Sequence, residues 1–210
     1  MYSALFDASV LHPWALCNLE LLLAEAGFYR PVWTAHILEE AKSSILRKHP
    51  ALDEARVEKR MAAMRLAFED ANVSTAIVEA QIAAVPASVP EHDRHVVAAA
   101  LAGRADVLVT SNQRHFPSDD LGALGLLVQS PDDFLIDQWY LNAPAVAEVL
   151  VRMALDTKRP PLSPEALLTL LARTVPSFVA TVRDSVEWIE ASAGLEQLPE
   201  PDEPHEIRGA

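Results

Sequence analysis

The segment Pro90–Pro117, PEHDRHVVAAALAGRADVLVTSNQRHFP, places an amphipathic helix directly before a short apolar β-branched run, and that order restricts the fold more than any other feature of the chain. Val96, Val97, Ala100 and Leu101 recur at helical spacing, so a helix is expected from about Arg94 to Ala102, with Gly103 as its stop. The run Val107–Thr110 lacks polar alternation, which suits a strand buried on both faces, as in parallel sheets covered by helices. In such sheets the ligand crevice lies beyond the carboxyl ends of the strands. Asp93 at the helix start and Asn112 past the strand end are therefore candidates for one shared site, with Thr110, Ser111 and His115 beside them.

The rest of the chain continues this alternation. Ser3–Ala8 reads as a first strand ending at Asp7, and a Leu-rich helix follows from about Trp14 to Ala26, closed by Gly27. Thr34 is an N-cap for a helix with the buried stripe Ile37, Leu38, Ala41 and Ile45, and Glu40 sits nearer that stripe than Glu39. Residues 53–69 form a charge-laced helix bearing the densest basic cluster, Arg56, Lys59, Arg60 and Arg65. Ala71–Val73 and Leu126–Val128 are candidate strands, Thr75–Ala83 a helix, and Ser130–Leu135 a capped turn into another. The expected fold is α/β, a parallel sheet flanked by helices over residues 1–140. An all-helical extension follows over 141–193, with helices at 145–157, 164–173 and 177–192, and 194–210 has the acidic, Pro-rich composition of a disordered tail.

Composition limits the chemistry. Cys17 is the single cysteine, which rules out an intramolecular disulfide and any multi-cysteine metal site. No apolar run reaches the roughly 18 residues of a membrane span, so a cytoplasmic protein with no membrane association is expected. The net charge of −13 argues against a broad phosphate-binding surface, although −6 of it falls from Glu187 onward, leaving −7 over residues 1–186. Carboxylates that hold a divalent cation invert the local sign and allow an acidic protein to meet phosphate. Asp7, Glu40 and Asp93 taken singly are caps or first-turn acids; taken together with Asn112 they are hard oxygen donors of the kind that suit Mg²⁺ or Mn²⁺. No two of His12, His92, His95 and His115 fall at the i, i+4 spacing of a helical zinc motif, which sets a histidine-based site aside.

The segments LFDASVL, VWTAHILEE, PEHDRHVVAAAL, LVTSNQRHFP and SPDDFL, spread over residues 4–137, together resemble PIN-domain ribonucleases, in particular the VapC-type toxins of bacterial toxin–antitoxin pairs. The resemblance implies a PIN fold and a metal site at Asp7, Glu40 and Asp93, with Asn112 in the fourth position. It also implies Mg²⁺- or Mn²⁺-dependent endoribonuclease activity on RNA, inhibition by a cognate antitoxin, and a homodimer. Thr110, Ser111 and His115 would support the site. Mutual repulsion among the acids is expected to raise at least one of their pKa values. Two positions depart from the family: His115 stands where similar sequences usually have Asp, and Cys17–Asn18 where many have Arg–Asp. Those departures define the alternative, a catalytically weakened PIN-fold interaction module.

Overall fold

The computed structural model describes residues 2–156 and 162–193. Four short strands, β1 (Ser3–Phe6), β2 (Arg30–Val32), β3 (Val107–Val109) and β4 (Leu127–Gln129), form one sheet in the order β2-β1-β3-β4. All pairings are parallel, with Leu5 opposite Val32 and Leu108, and Leu108 opposite Val128. Every residue of β1 and β3 is buried, which is why neither strand alternates in sequence. The chain runs from β1 to β2 on one side, then crosses back to β3 on the other. The strand order therefore switches between β1 and β3, and the crevice expected at such a switch opens at their carboxyl ends.

The crossover from β1 to β2 carries α1 (Ala8–Leu11) and α2 (Trp14–Glu25). Between β2 and β3 lie α3 (Ala35–Lys48), α4 (Glu54–Ala67), α5 (Thr75–Gln81) and α6 (Arg94–Ala102). The short α7 (Ser118–Gly122) leads to β4, and α8 (Pro131–Leu141), α9 (Ala143–Leu155), α10 (Pro164–Leu171), α11 (Pro176–Arg183) and α12 (Val186–Ala193) follow. One apolar core runs from Ala4 to Trp188, so the late helices are packed against the sheet unit. Phe6, Tyr29 and Phe134 join β1, the α2–β2 turn and α8 with ring centroids 5.0–5.7 Å apart. Asp132 on α8 accepts from the backbone N–H groups of Phe178 (2.7 Å) and Ser177 (3.0 Å), capping α11 from a distance because Val175 offers no side-chain cap.

The structure departs from the sequence reading at several elements. β2 was not expected: three residues centred on Pro31 carry too short a pattern to register, and proline is tolerated there because β2 is an edge strand. Ala71–Val73 is not a strand. A 3-10 turn spans Glu69–Ala71, and Asn72 makes only an isolated bridge to Trp33, which extends the β2 edge without a ladder. The single helix expected over 177–192 is broken after Arg183, where the Ser185 hydroxyl accepts from Trp188 N–H at 3.2 Å and starts α12. The helix expected from 145 begins at Ala143, capped by Asn142 through the Ala145 N–H. The tail over 194–210 lies outside the described residues.

Two close-packed points bear on stability. Gly103 ends α6 so near β2 that a Cβ there would lie 2.5 Å from Val32 Cγ1 and 2.9 Å from Val73 Cγ2. Glu20 on α2 is fully buried, and neither carboxylate oxygen has a hydrogen-bond partner. Burial pushes its pKa well above the usual carboxylate value, which favours the neutral form.

Candidate active site

Asp7 follows β1 directly and is almost wholly buried; its backbone N–H donates to Val109 O at 3.1 Å, tying it to the end of β3. The Asp7 Oδ2 accepts from Thr110 Oγ (2.8 Å) and from Ser9 Oγ (2.7 Å). The same hydroxyls hold the loop beyond β3: Ser9 Oγ accepts from Ser111 N–H (3.1 Å) and Thr110 Oγ from Asn112 N–H (3.0 Å). Thr110 therefore fixes the Asp7 carboxylate and sets where Asn112 begins. Ser9 does the same from the other side and escaped the sequence reading, because a serine two residues after an acid carries no pattern of its own. Ser111 and Asn112 are exposed.

Glu40 is half-buried on α3, where the Thr34 cap fixes the first turn. Its Oε2 lies 3.1 Å from Nε2 of His95 on α6, and its Oε1 lies 3.8 Å from Nε2 of His36, one turn back on α3. Burial alone would raise the Glu40 pKa. The His95 hydrogen bond and the charges of His95, His36 and His92 outweigh it, so the net shift is downward. The expected repulsion among acids is not what governs Glu40; neighbouring imidazoles are. His95 shifts upward: burial lowers it, but the Glu40 hydrogen bond and charge, the His92 backbone and the Asp7 charge prevail.

Asp93 ends a 3-10 turn, Glu91–Asp93, immediately before α6. Its Oδ2 lies 2.9 Å from Nδ1 of His115 and 3.1 Å from Nε2 of His92. The contact with His115 is short but not directed as a hydrogen bond, and both Oδ2 and Nδ1 are buried without a hydrogen-bond partner. Buried polar atoms are seldom left so. Both are electron-pair donors when deprotonated, and with the nearby His92 nitrogen they form a group of donors that could hold a metal ion.

The sequence-derived residues are thus brought to one end of the sheet but not into one tight cluster. Among the described residues, the groups whose donor atoms all lie within 4.8 Å of one another are His36–Glu40–His95 and His92–Asp93–His115. The charge of Asp7 favours the protonated form of His95 and that of His92 the ionised form of Glu40, and His92 also lies 3.1 Å from Asp93 Oδ2. Two histidines set aside on sequence spacing, His92 and His95, lie against these acids. His36 was missed altogether, although it stands at i, i+4 from Glu40.

Asn112 and Ser111 line a cleft of about 500 Å³ together with Ser9, Arg47 and Lys48. A second cleft of about 560 Å³ continues past Lys48 to Arg56, Arg60 and Trp14. Two of the four basic residues singled out on α4 thus line a groove that adjoins the site. A third, Arg65, is paired with Glu58 at 2.7 Å.

This parallel sheet, with an acid at the switch point and acids on the two flanking helices, defines a PIN domain, and the PIN domain family model matches residues 3–114, more than half of the chain. The chain belongs to that family, and the model of the VapC50 C-terminal domain matches residues 131–184. A relative from Mycobacterium tuberculosis carrying the provisional name ribonuclease VapC50 is 44% identical over 91 residues, a match that spans 43% of this chain and 54% of that protein. No solved structure matches. Among the described residues no helix is long and apolar enough to cross a membrane.

Proposed function

We propose that the chain is a divalent-metal-dependent endoribonuclease that hydrolyses RNA phosphodiesters at the carboxyl ends of β1 and β3. The observation that carries this reading is Asp93 Oδ2, buried without a hydrogen-bond partner against His115 and His92, with His92 also acting on Glu40. In it, Asp7, Glu40 and Asp93 hold Mg²⁺ or Mn²⁺, with Asn112 supplying a neutral oxygen. Such an ion, when bound, activates water and offsets the charge that builds on the phosphoryl oxygens. Thr110 and Ser9 keep the Asp7 carboxylate aimed, and Ser111 and Asn112 present polar groups to the adjoining cleft. Arg47, Lys48, Arg56 and Arg60 line the grooves in which an RNA backbone would lie, giving a basic track on an acidic protein. His115 supports the site beside Asp93, its Nδ1 2.9 Å from the Asp93 Oδ2.

The same reading takes residues 1–140 as the nuclease unit and 141–193 as an extension that braces α2 and α8. It includes action in the cytoplasm, neutralisation by a cognate antitoxin and a homodimer, all supported by kinship with VapC-type proteins. The test is cleavage of a labelled RNA by purified protein with Mn²⁺. Wild type is expected to cut, with loss of cutting in chelator and in Asp7→Asn. Equal cutting by Asp7→Asn would refute the reading. A wild type that binds Mn²⁺ without cutting any RNA would favour the interaction module.

A further inference from the structure

We propose that His36, Glu40 and His95 form a binding site for a transition-metal ion of the zinc type, distinct in ligand chemistry from the oxygen donors at Asp7 and Asn112. His36 and Glu40 stand one turn apart on α3, and His95 reaches the same carboxylate from α6. The three donor atoms all lie within 4.8 Å of one another, with separations of 3.8 Å and 3.1 Å to the two carboxylate oxygens. The 3.1 Å and 3.8 Å separations bracket the roughly 3.4 Å between donors held 2.0–2.1 Å from a tetrahedral ion. The 3.8 Å separation is too long for a hydrogen bond and suits two donors facing a common cation.

The two rings lie side by side, 4.3 Å between centroids and tilted by 32°. Two protonated imidazoles so close would repel, whereas two neutral ones binding a cation do not. The His36 side chain is 64% exposed, which leaves coordination positions open to water. Two imidazoles and one carboxylate select against Mg²⁺, which prefers oxygen, and favour Zn²⁺, Co²⁺ or Ni²⁺.

The site shares Glu40 with the proposed nuclease centre and rests on that reading only for its effect on RNA cleavage. The test is calorimetric titration of the full chain, stripped with chelator, using Zn²⁺ and then Mg²⁺. Wild type is expected to bind Zn²⁺ at a site that a large molar excess of Mg²⁺ does not displace. His36→Ala, a substitution at an exposed position, is expected to weaken that site at least about tenfold while leaving the circular dichroism and melting temperature of the metal-free protein unchanged. Asp7→Asn is expected to keep it. Equal Zn²⁺ binding by wild type and His36→Ala, displacement by Mg²⁺, or loss of the site in Asp7→Asn would each overturn the proposal. RNA cleavage by the same variants keeps the two readings apart: if Asp7→Asn cuts like wild type, the nuclease reading fails while the Zn²⁺ site still stands or falls on the titration.

Discussion

Replacing Glu20 by Gln is expected to stabilise the protein against urea by an amount that grows with pH. The carboxyl group is buried with no hydrogen-bond partner on either oxygen, and burial raises its pKa well above 4.5. Below about pH 4.5 folded and unfolded chains both hold the proton, so the group contributes no pH dependence. Above that, the unfolded chain releases the proton and the folded chain keeps it. The unfolded state then binds fewer protons, and stability falls by about 1.4 kcal/mol for each pH unit until the folded pKa is reached. Gln keeps nearly the same volume and cannot ionise, so its own burial cost is independent of pH. Tyr29 and Cys17, which neighbour Glu20, are themselves raised, Cys17 to about 11, and do not titrate in this range. Urea unfolding of both proteins between about pH 5 and 7 isolates the effect, since all other groups cancel in the difference. With a denaturant slope near 2 kcal/mol/M, the midpoint gap is expected to widen by about 0.7 M per pH unit. A gap that stays constant or narrows with pH would refute the assignment of a neutral, unpartnered acid.

Three further outcomes follow from particular contacts. Thr110→Val removes the buried hydroxyl that holds Asp7 and is expected to lower RNA cleavage about 10- to 100-fold, measured at saturating Mn²⁺ with the melting temperature as a folding control. Gly103→Ala forces a methyl group against Val32 and Val73 and is expected to cost about 1–3 kcal/mol in urea unfolding. Asp132→Ala strips the cap from α11 and is expected to cost about 1 kcal/mol, read by the same assay.

How far the sequence disclosed these features depended on the range of the interactions. Val107–Val109 and α6 were legible because burial on both faces and 3.6-residue periodicity are written in consecutive residues. β2 was not, since its three residues are a strand only because β1 offers them partners. The acids were legible as types at recurring places, strand ends and first turns, and the family resemblance singled them out. Their histidine partners were not, because His36, His95 and His115 meet Glu40 and Asp93 across elements, and one-chain spacing registers only pairs on the same helix. His36 and Glu40 are such a pair on α3; comparing histidines only with one another hid it. Ser9 became visible only once β1 and β3 were side by side.

The most direct measurement is the rate of RNA cleavage in Mn²⁺ by wild type and by Asp93→Asn, each checked for an unchanged circular dichroism spectrum. Asp93 carries the buried oxygen without a hydrogen-bond partner on which the proposed cation-dependent centre rests. Cleavage by wild type and its loss in Asp93→Asn is the expected result. Cleavage at the wild-type rate by Asp93→Asn would contradict the account.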